Sequence, residues 1–406
     1  MPTPSLLIVP ARFKSGKLYS QLPTSGAGDF TVTRATNATR VNASGLIESV
    51  ASGIPRLDYF ASDGTVGCPA LLVEPSGSNL LQRSEEFENS YWTKANGGVT
   101  QNQTIAPDGL TTADKYVVNS AASGNANSPI IRSFSFAINT TYTLSLFVKK
   151  TDYDTASIRL NTTETGVIAN FFNLASGTAT NNQIQDYGNG WYRVWVSFTT
   201  AATVANGQVQ LIRDAQVRDG VAGIFIWGAQ LEVSSVPTSY IPTTTASVTR
   251  NADVVLVSGA VSGSIGQTSG TIYAEVDLRN WTASGRVLAI SNGTSDARVV
   301  IQVGANRTLQ AVVTAASGEV ANIATASGQV NGIYKCAVAY ASGDFAFYVN
   351  GNQIGTDSSG AVPACNNVAL GKIETSASTN FLNDRMLAGA LYNTRLTNAE
   401  LAALTA

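Results

Sequence analysis

Trp191-Tyr192-Arg193-Val194-Trp195-Val196-Ser197-Phe198 alternates without a break between two kinds of side chain. Successive residues of an extended strand point to opposite faces, so Tyr192, Val194, Val196 and Phe198 share one face and Trp191, Arg193, Trp195 and Ser197 the other. One face must pack inward. Tyr142-Thr143-Leu144-Ser145-Leu146-Phe147-Val148-Lys149 and Gly223-Ile224-Phe225-Ile226-Trp227-Gly228-Ala229-Gln230-Leu231-Glu232 have the same strand character. Gly188-Asn189-Gly190 is a turn signal ahead of the first stretch. Strands at this spacing predict two packed antiparallel sheets between about Asn79 and Pro242.

Downstream, Pro237 to Val248, with Pro242 ahead of three threonines, reads as an extended, solvent-exposed linker. A second set of alternating strands follows, including Thr271-Ile272-Tyr273-Ala274-Glu275-Val276-Asp277-Leu278, Tyr334-Lys335-Cys336-Ala337-Val338-Ala339-Tyr340 and Asp344-Phe345-Ala346-Phe347-Tyr348-Val349. Asn350-Gly351 predicts a tight hairpin, because both central positions of that turn favour φ > 0. Thr397-Asn398-Ala399-Glu400 has the spacing of a capping box and predicts one short helix through Leu401 and Leu404. Upstream, residues 1 to about 78 hold only short extended pieces divided by Gly, Pro and Ser, too short to bury much alone. They read as an arm that needs a neighbour. The expected fold is therefore all-β: a short-stranded arm over 1–78, then antiparallel sandwiches over 79–242 and 243–406.

Composition agrees and excludes several functions. Only 13% of the 406 residues are charged and 36 are glycine, which favours strands and turns over helices. The formal net charge is −2 and no Lys/Arg cluster occurs, so nucleic acid is not an expected partner. No apolar run has the length of a membrane span and the first residues carry no basic leader, so neither membrane insertion nor signal-peptide export is expected. The three cysteines are too few for a disulfide framework. Cys336 and Cys365 lie in one segment and could pair, but each reads more simply as a small core residue. The chain has no histidine. Serine and cysteine triads, histidine zinc sites and the usual neutral-pH base are thereby removed, and paired carboxylates are the main hydrolytic option left.

Two regions resemble known families. Asn79-Leu80-Leu81-Gln82-Arg83-Ser84-Glu85-Glu86-Phe87, Trp92-Thr93-Lys94, Gly190-Trp191-Tyr192-Arg193, Trp227-Gly228-Ala229-Gln230-Leu231-Glu232 and Ser239-Tyr240-Ile241-Pro242-Thr243 resemble the carbohydrate-binding jelly rolls of phage tail and fibre proteins. Phe347-Tyr348-Val349-Asn350-Gly351, Val368-Ala369-Leu370-Gly371-Lys372 and Leu387 to Thr397 are similar to concanavalin A-like, laminin-G-like sandwiches. Thr33-Arg34-Ala35-Thr36, Gly45-Leu46-Ile47-Glu48, Pro55-Arg56-Leu57-Asp58-Tyr59 and Leu71-Leu72-Val73-Glu74 resemble the leader that precedes such modules in phage structural proteins. The resemblance implies a tail fibre, spike or head fibre on the virion surface, oligomeric and favouring a trimer, attached to other virion proteins through the arm and to host cell-surface glycans through the sandwiches. A capsid or tail decoration protein without sugar binding is the second expectation, and a polysaccharide-degrading spike the third.

Sugar binding needs flat aromatic faces for the apolar side of a ring, flanked by groups that bond its hydroxyls. Trp92, Tyr153, Tyr187, Trp191 and Trp195 are the candidate faces; Arg193, Arg159, Asn161 and Gln185 are the candidate bonding groups. No cofactor is required by this reading. The resemblance implies a structural calcium ion at the jelly-roll edge, with Glu85 and Glu232 as candidate ligands among Glu85, Glu86 and Glu232. Glu275 and Asp277 share a face at a spacing compatible with a hydrolytic pair, yet they read better as an exposed polar strand face, so no catalytic residue is assigned.

Overall fold

The computed structural model describes all residues except 1, 62–63, 120–128, 163–165, 202–203, 214–218, 260, 262, 282–284, 317 and 373–379. The described residues are almost entirely β and fall into two compact units, one of residues 1–43, 49–76 and 251–406, the other of residues 44–48 and 77–250.

In the second unit, two six-stranded antiparallel sheets pack their apolar faces together. One runs in the order Gly97–Thr104, Ala113–Val118, Gly223–Val233, Thr141–Lys150, Trp191–Thr199, Ile184–Asp186. The other runs Thr93–Lys94, Ile130–Phe136, Val204–Arg213, Thr155–Thr162, Gly166–Asn173, Thr178–Ala179. Register follows the alternation read from sequence. Leu144 lies opposite Val196, Leu146 opposite Val194 and Tyr142 opposite Phe198, all in the core with Ile158, Leu160, Val209 and Leu211. The other face of that pair carries Lys149 opposite Trp191, Phe147 opposite Arg193 and Ser145 opposite Trp195. A bulge shifts the register between Thr141–Lys150 and Gly223–Val233, with Gly228 at φ +65. A Cβ there would lie 2.9 Å from Phe147 Cδ2, so both the backbone and the packing require glycine.

The stretch expected to be a solvent-exposed linker is a correction. Thr238, Tyr240, Ile241 and Thr243 are buried. Tyr240 packs on Trp227 at 4.5 Å between ring centroids and on Phe147 at 6.0 Å, and Val248–Arg250 pairs with Gly77–Asn79. This stretch covers the outer face that alternation alone leaves open.

The first unit is a sandwich of an eight-stranded and a nine-stranded sheet. Ile272, Val276, Val338 and Phe347 of one sheet meet Leu288, Val299, Ile301, Val313 and Val368 of the other. Asn350-Gly351 forms the expected hairpin, with φ of 47 and 79. The helix Asn398–Thr405 begins at Thr397 with the expected capping box. Leu401 covers an outer sheet face of Tyr273, Ala337, Ala339, Ala346 and Ala390, whose short alanines let the helix approach closely. Cys336 and Cys365 are free and buried.

The segment 1–78 is not a separate arm, which corrects the expected domain division. Leu6–Ile8 pairs with one edge of Asp384–Tyr392 and Val66–Val73 pairs along the same strand, with Leu57–Phe60 beyond it. Phe30–Thr33 pairs with Val254–Ser258 in the other sheet. Leu6, Ile8, Phe30, Val32, Leu71 and Val73 complete the core. Buried ion pairs fasten the same segment. Arg34 Nη1 is 2.9 Å from Asp253 Oδ1, Arg56 Nη1 is 2.7 Å from Glu74 Oε2, and Arg56 Nη2 also bonds Asp253 Oδ2. Burial alone would lower the Arg56 pKa, but Asp253 and Glu74 outweigh it and hold the guanidinium above its usual range. Arg385 bridges Asp277 at 3.1 Å and Asp58 at 3.4 Å.

Beside Arg385, the buried Asp384 accepts hydrogen bonds from the backbone N–H groups of Arg279 at 3.1 Å and Asn280 at 3.0 Å. Burial nonetheless pushes its carboxyl up to about 7, against the pull of Arg279. Unfolded aspartate titrates near ~3.9, so between those values the folded chain holds a proton that the unfolded chain has released. Asp384 therefore contributes stability at acid pH that declines as pH rises through this window and levels off above it. The stability of the native chain relative to Asp384→Asn, from urea unfolding, is expected to fall between pH ~5 and pH ~8. A pH-independent difference would contradict the buried, protonated carboxyl.

Candidate functional site

Three consecutive left-handed residues, Gly188, Asn189 and Gly190 with φ of 77, 52 and 78, turn the chain into the strand Trp191–Thr199. The Tyr187 N–H donates to Trp191 O at 2.8 Å and the Trp191 N–H donates to Gly188 O at 2.9 Å, which sets the two aromatic residues side by side. Tyr187 is half-buried, edge-on to Phe147 with centroids 5.0 Å apart. Trp191 is buried and donates from Nε1 to Ile105 O at 3.0 Å. Together with Leu46, Ile105, Pro107, Lys149 and Asn189 they line a cleft of about 370 Å³. Lys149 Nζ lies 6.0 Å from the Trp191 ring centroid, and Ile105, 59% exposed, forms an apolar lip. Aromatic and aliphatic walls, an amide and an ammonium suit the apolar side and the hydroxyls of a pyranose ring.

Of the six residues expected to touch sugar, this cleft brings together two, Tyr187 and Trp191; Tyr187 is the accessible ring, while Trp191 is as buried as the three that follow and serves as backing for the cleft. Three are corrected to structural roles. Trp92 is buried against Phe87 and donates from Nε1 to Arg83 O at 2.9 Å. Tyr153 is buried and its hydroxyl donates to Ala222 O at 2.7 Å. Arg193 is buried beneath the 237–243 stretch, donating to Thr238 O at 2.7 Å and Ser145 Oγ at 2.9 Å. Trp195 remains half-buried on the outer face but does not line the cleft. Gln185 lies opposite Arg193 in register, and the Asn161 side chain lies outside the described residues.

The acidic candidates do not fit a calcium ion. Glu232 is buried, and its Oε1 accepts from Gln230 Nε2 at 2.7 Å and Thr238 N at 2.9 Å, while its Oε2 accepts from the Thr238 hydroxyl at 2.8 Å. Burial raises its pKa, although Arg193 pulls it down. Glu85 Oε1 accepts from the Tyr240 hydroxyl at 2.8 Å, and burial raises its pKa as well. Calcium takes 6–8 oxygen ligands, roughly, and these carboxylates already face N–H and O–H donors. Among the described residues, no group of three or more His, Cys, Asp or Glu side chains is arranged to hold a metal ion.

Phe171, 53% exposed on the other sheet, was missed from sequence. Arg159 lies 5.2 Å from its ring centroid, and Phe171 with Thr155, Asn173 and Thr178 lines a shallower cleft of about 270 Å³. The signal was present: adjacent aromatics at Phe171 and Phe172 on one strand cannot both face the core. For the first cleft, the contributions of Leu46, Ile105 and Lys149 come from distant sequence and carry no local sign.

No curated protein sequence matches the chain. Among solved structures, the CBM40 of the Ruminococcus gnavus IT-sialidase is 16% identical, matched over 36% of this chain and 88% of its own, with a TM-score of 0.32. Domain 4 of AbnA, a GH43 extracellular arabinanase from Geobacillus stearothermophilus, is 12% identical over 42% of this chain and 82% of its own, TM-score 0.32. The native heptameric SAP-like pentraxin from Limulus polyphemus is 15% identical over 34% and 70%, TM-score 0.28. Residues 249–403, less than half of the chain, match the model of the concanavalin A-like lectin/glucanases superfamily.

Proposed function

We propose that this chain is a non-catalytic glycan-binding protein of a phage particle, holding host-surface glycans in the cleft beside Tyr187 and Trp191. That cleft carries the reading, because its walls supply ring contacts while none of its described lining residues is acidic. Lys149 favours glycans with a carboxylate or other anionic substituent. The concanavalin A-like domain supports the lectin class. Against hydrolysis, Asp277 is buried in its ion pair with Arg385. The particle location rests on the resemblance of the leader and jelly-roll motifs, and several copies on one particle, as in a trimer, would multiply weak single-site binding.

The test is a binding titration of the intact chain with host-surface polysaccharide. Tyr187→Ala is expected to weaken binding about tenfold, with thermal unfolding little changed, whereas Trp195→Ala leaves affinity near that of the native chain. Undiminished binding by Tyr187→Ala would overturn the site. No binding to any host-surface preparation would favour the purely architectural decoration protein.

A further inference from the structure

We propose that the concanavalin A-like unit carries a second, separate site for a neutral saccharide, in the cleft between the edge strands Gly318–Ala324 and Asn352–Asp357. These strands end the nine-stranded and eight-stranded sheets, respectively. The cleft of about 440 Å³ is lined by Gln329, Asn350, Asn352 and Gln353, with Tyr334 and Ile354 as apolar surface.

The four amides are each tied at one end. Gln353 Oε1 accepts from the Tyr348 hydroxyl at 2.6 Å, leaving Nε2 open as a donor. Asn350 Oδ1 accepts from Lys335 N at 2.8 Å, leaving Nδ2. Asn352 Nδ2 donates to Asn350 O at 3.0 Å and Gln329 Nε2 donates to Ala326 O at 3.0 Å, leaving the amide oxygens of both as acceptors. Two donors and two acceptors are thus held in place in a cleft whose described lining has no charged side chain. A sugar hydroxyl both donates and accepts, so neighbouring hydroxyls of a neutral ring match this set. An anionic ligand finds no counter-charge here, unlike in the cleft beside Lys149. The hairpin that presents Asn350 is itself pinned, since Gly351 N donates to Thr405 Oγ1 of the terminal helix at 3.1 Å. The ligand class rests on the glycan reading above; the location does not.

Calorimetric titration of the intact chain with a panel of neutral gluco-, galacto- and manno-oligosaccharides tests the site, using the exposed pair Asn352→Ala/Gln353→Ala and, separately, Tyr187→Ala. At least one neutral oligosaccharide is expected to bind, about tenfold more weakly to the double variant and unchanged to Tyr187→Ala. Its affinity is expected to stay constant from low to high salt, because no charge is paired. Absence of neutral-sugar binding, equal binding by the double variant, or a steep fall with salt would overturn the second site. Loss in Tyr187→Ala alone would also overturn it while leaving the first cleft standing. Retention of acidic-glycan binding by Tyr187→Ala would instead remove the first cleft and not this one.

Discussion

Deleting residues 1–76 is expected to abolish folding of the concanavalin A-like unit, although the family match begins only at residue 249. The deletion removes strands from both sheets and strips Leu6, Ile8, Phe30, Val32, Leu71 and Val73 from the core. Each such side chain is worth about 1.5–3 kcal/mol on burial. Six of them rival the whole stability of an ordinary domain, about 5–15 kcal/mol. The strands Asp384–Tyr392 and Val254–Ser258 would also lose partners and present open edges to other chains. The truncated protein should lack the unfolding transition of this unit and be cut rapidly by protease between 251 and 406. A monomeric truncation with a sharp transition for 251–406 would restore the detachable arm.

The second large effect is Arg56→Ala. It leaves the buried carboxylates of Glu74 and Asp253 without their shared guanidinium, the situation in which breaking a buried pair costs about 3–5 kcal/mol. Arg34 still contacts Asp253, so Glu74 is the group left most exposed to the loss. Arg56→Lys keeps the charge but not the fork that reaches both partners, and should fall between the two. Lys17, paired at 3.4 Å with Asp29 and 38% exposed, supplies the contrast: Lys17→Ala should cost less than about 1 kcal/mol. Urea unfolding of the unit that contains Arg56 ranks all three. A loss below about 1 kcal/mol for Arg56→Ala would contradict the role assigned to this network.

What sequence made legible was local. Alternation in Trp191–Thr199, the Asn350-Gly351 turn and the capping box at Thr397 depend on neighbours a few residues apart, and each appears as expected. The N-terminal strands were misread as an arm because their partners are remote. Leu6 pairs with Leu391 and Val32 with Val255, and nothing near Leu6 or Val32 announces such a pairing. Arg34 and Arg56 looked like leader motif residues, whereas they are buried cations answered by Asp253 and Glu74. Parity has a second limit. It places Trp191, Arg193 and Trp195 on one face but does not say what covers that face. The 237–243 stretch covers Arg193, the cleft retains Trp191, and Trp195, two residues beyond Arg193 on the same face, stays half-buried outside the cleft.

Saturation-transfer NMR on the intact chain with fragments of host-surface polysaccharide examines passive holding most directly. Saturation should pass to the ring C–H protons of an acidic fragment, the kind the Lys149 cleft favours, and fall sharply in Tyr187→Ala, while the anomeric spectrum of the fragments stays unchanged over time. No transfer to any fragment, or steady growth of new reducing-end signals, would contradict a protein that grips glycans without cutting them.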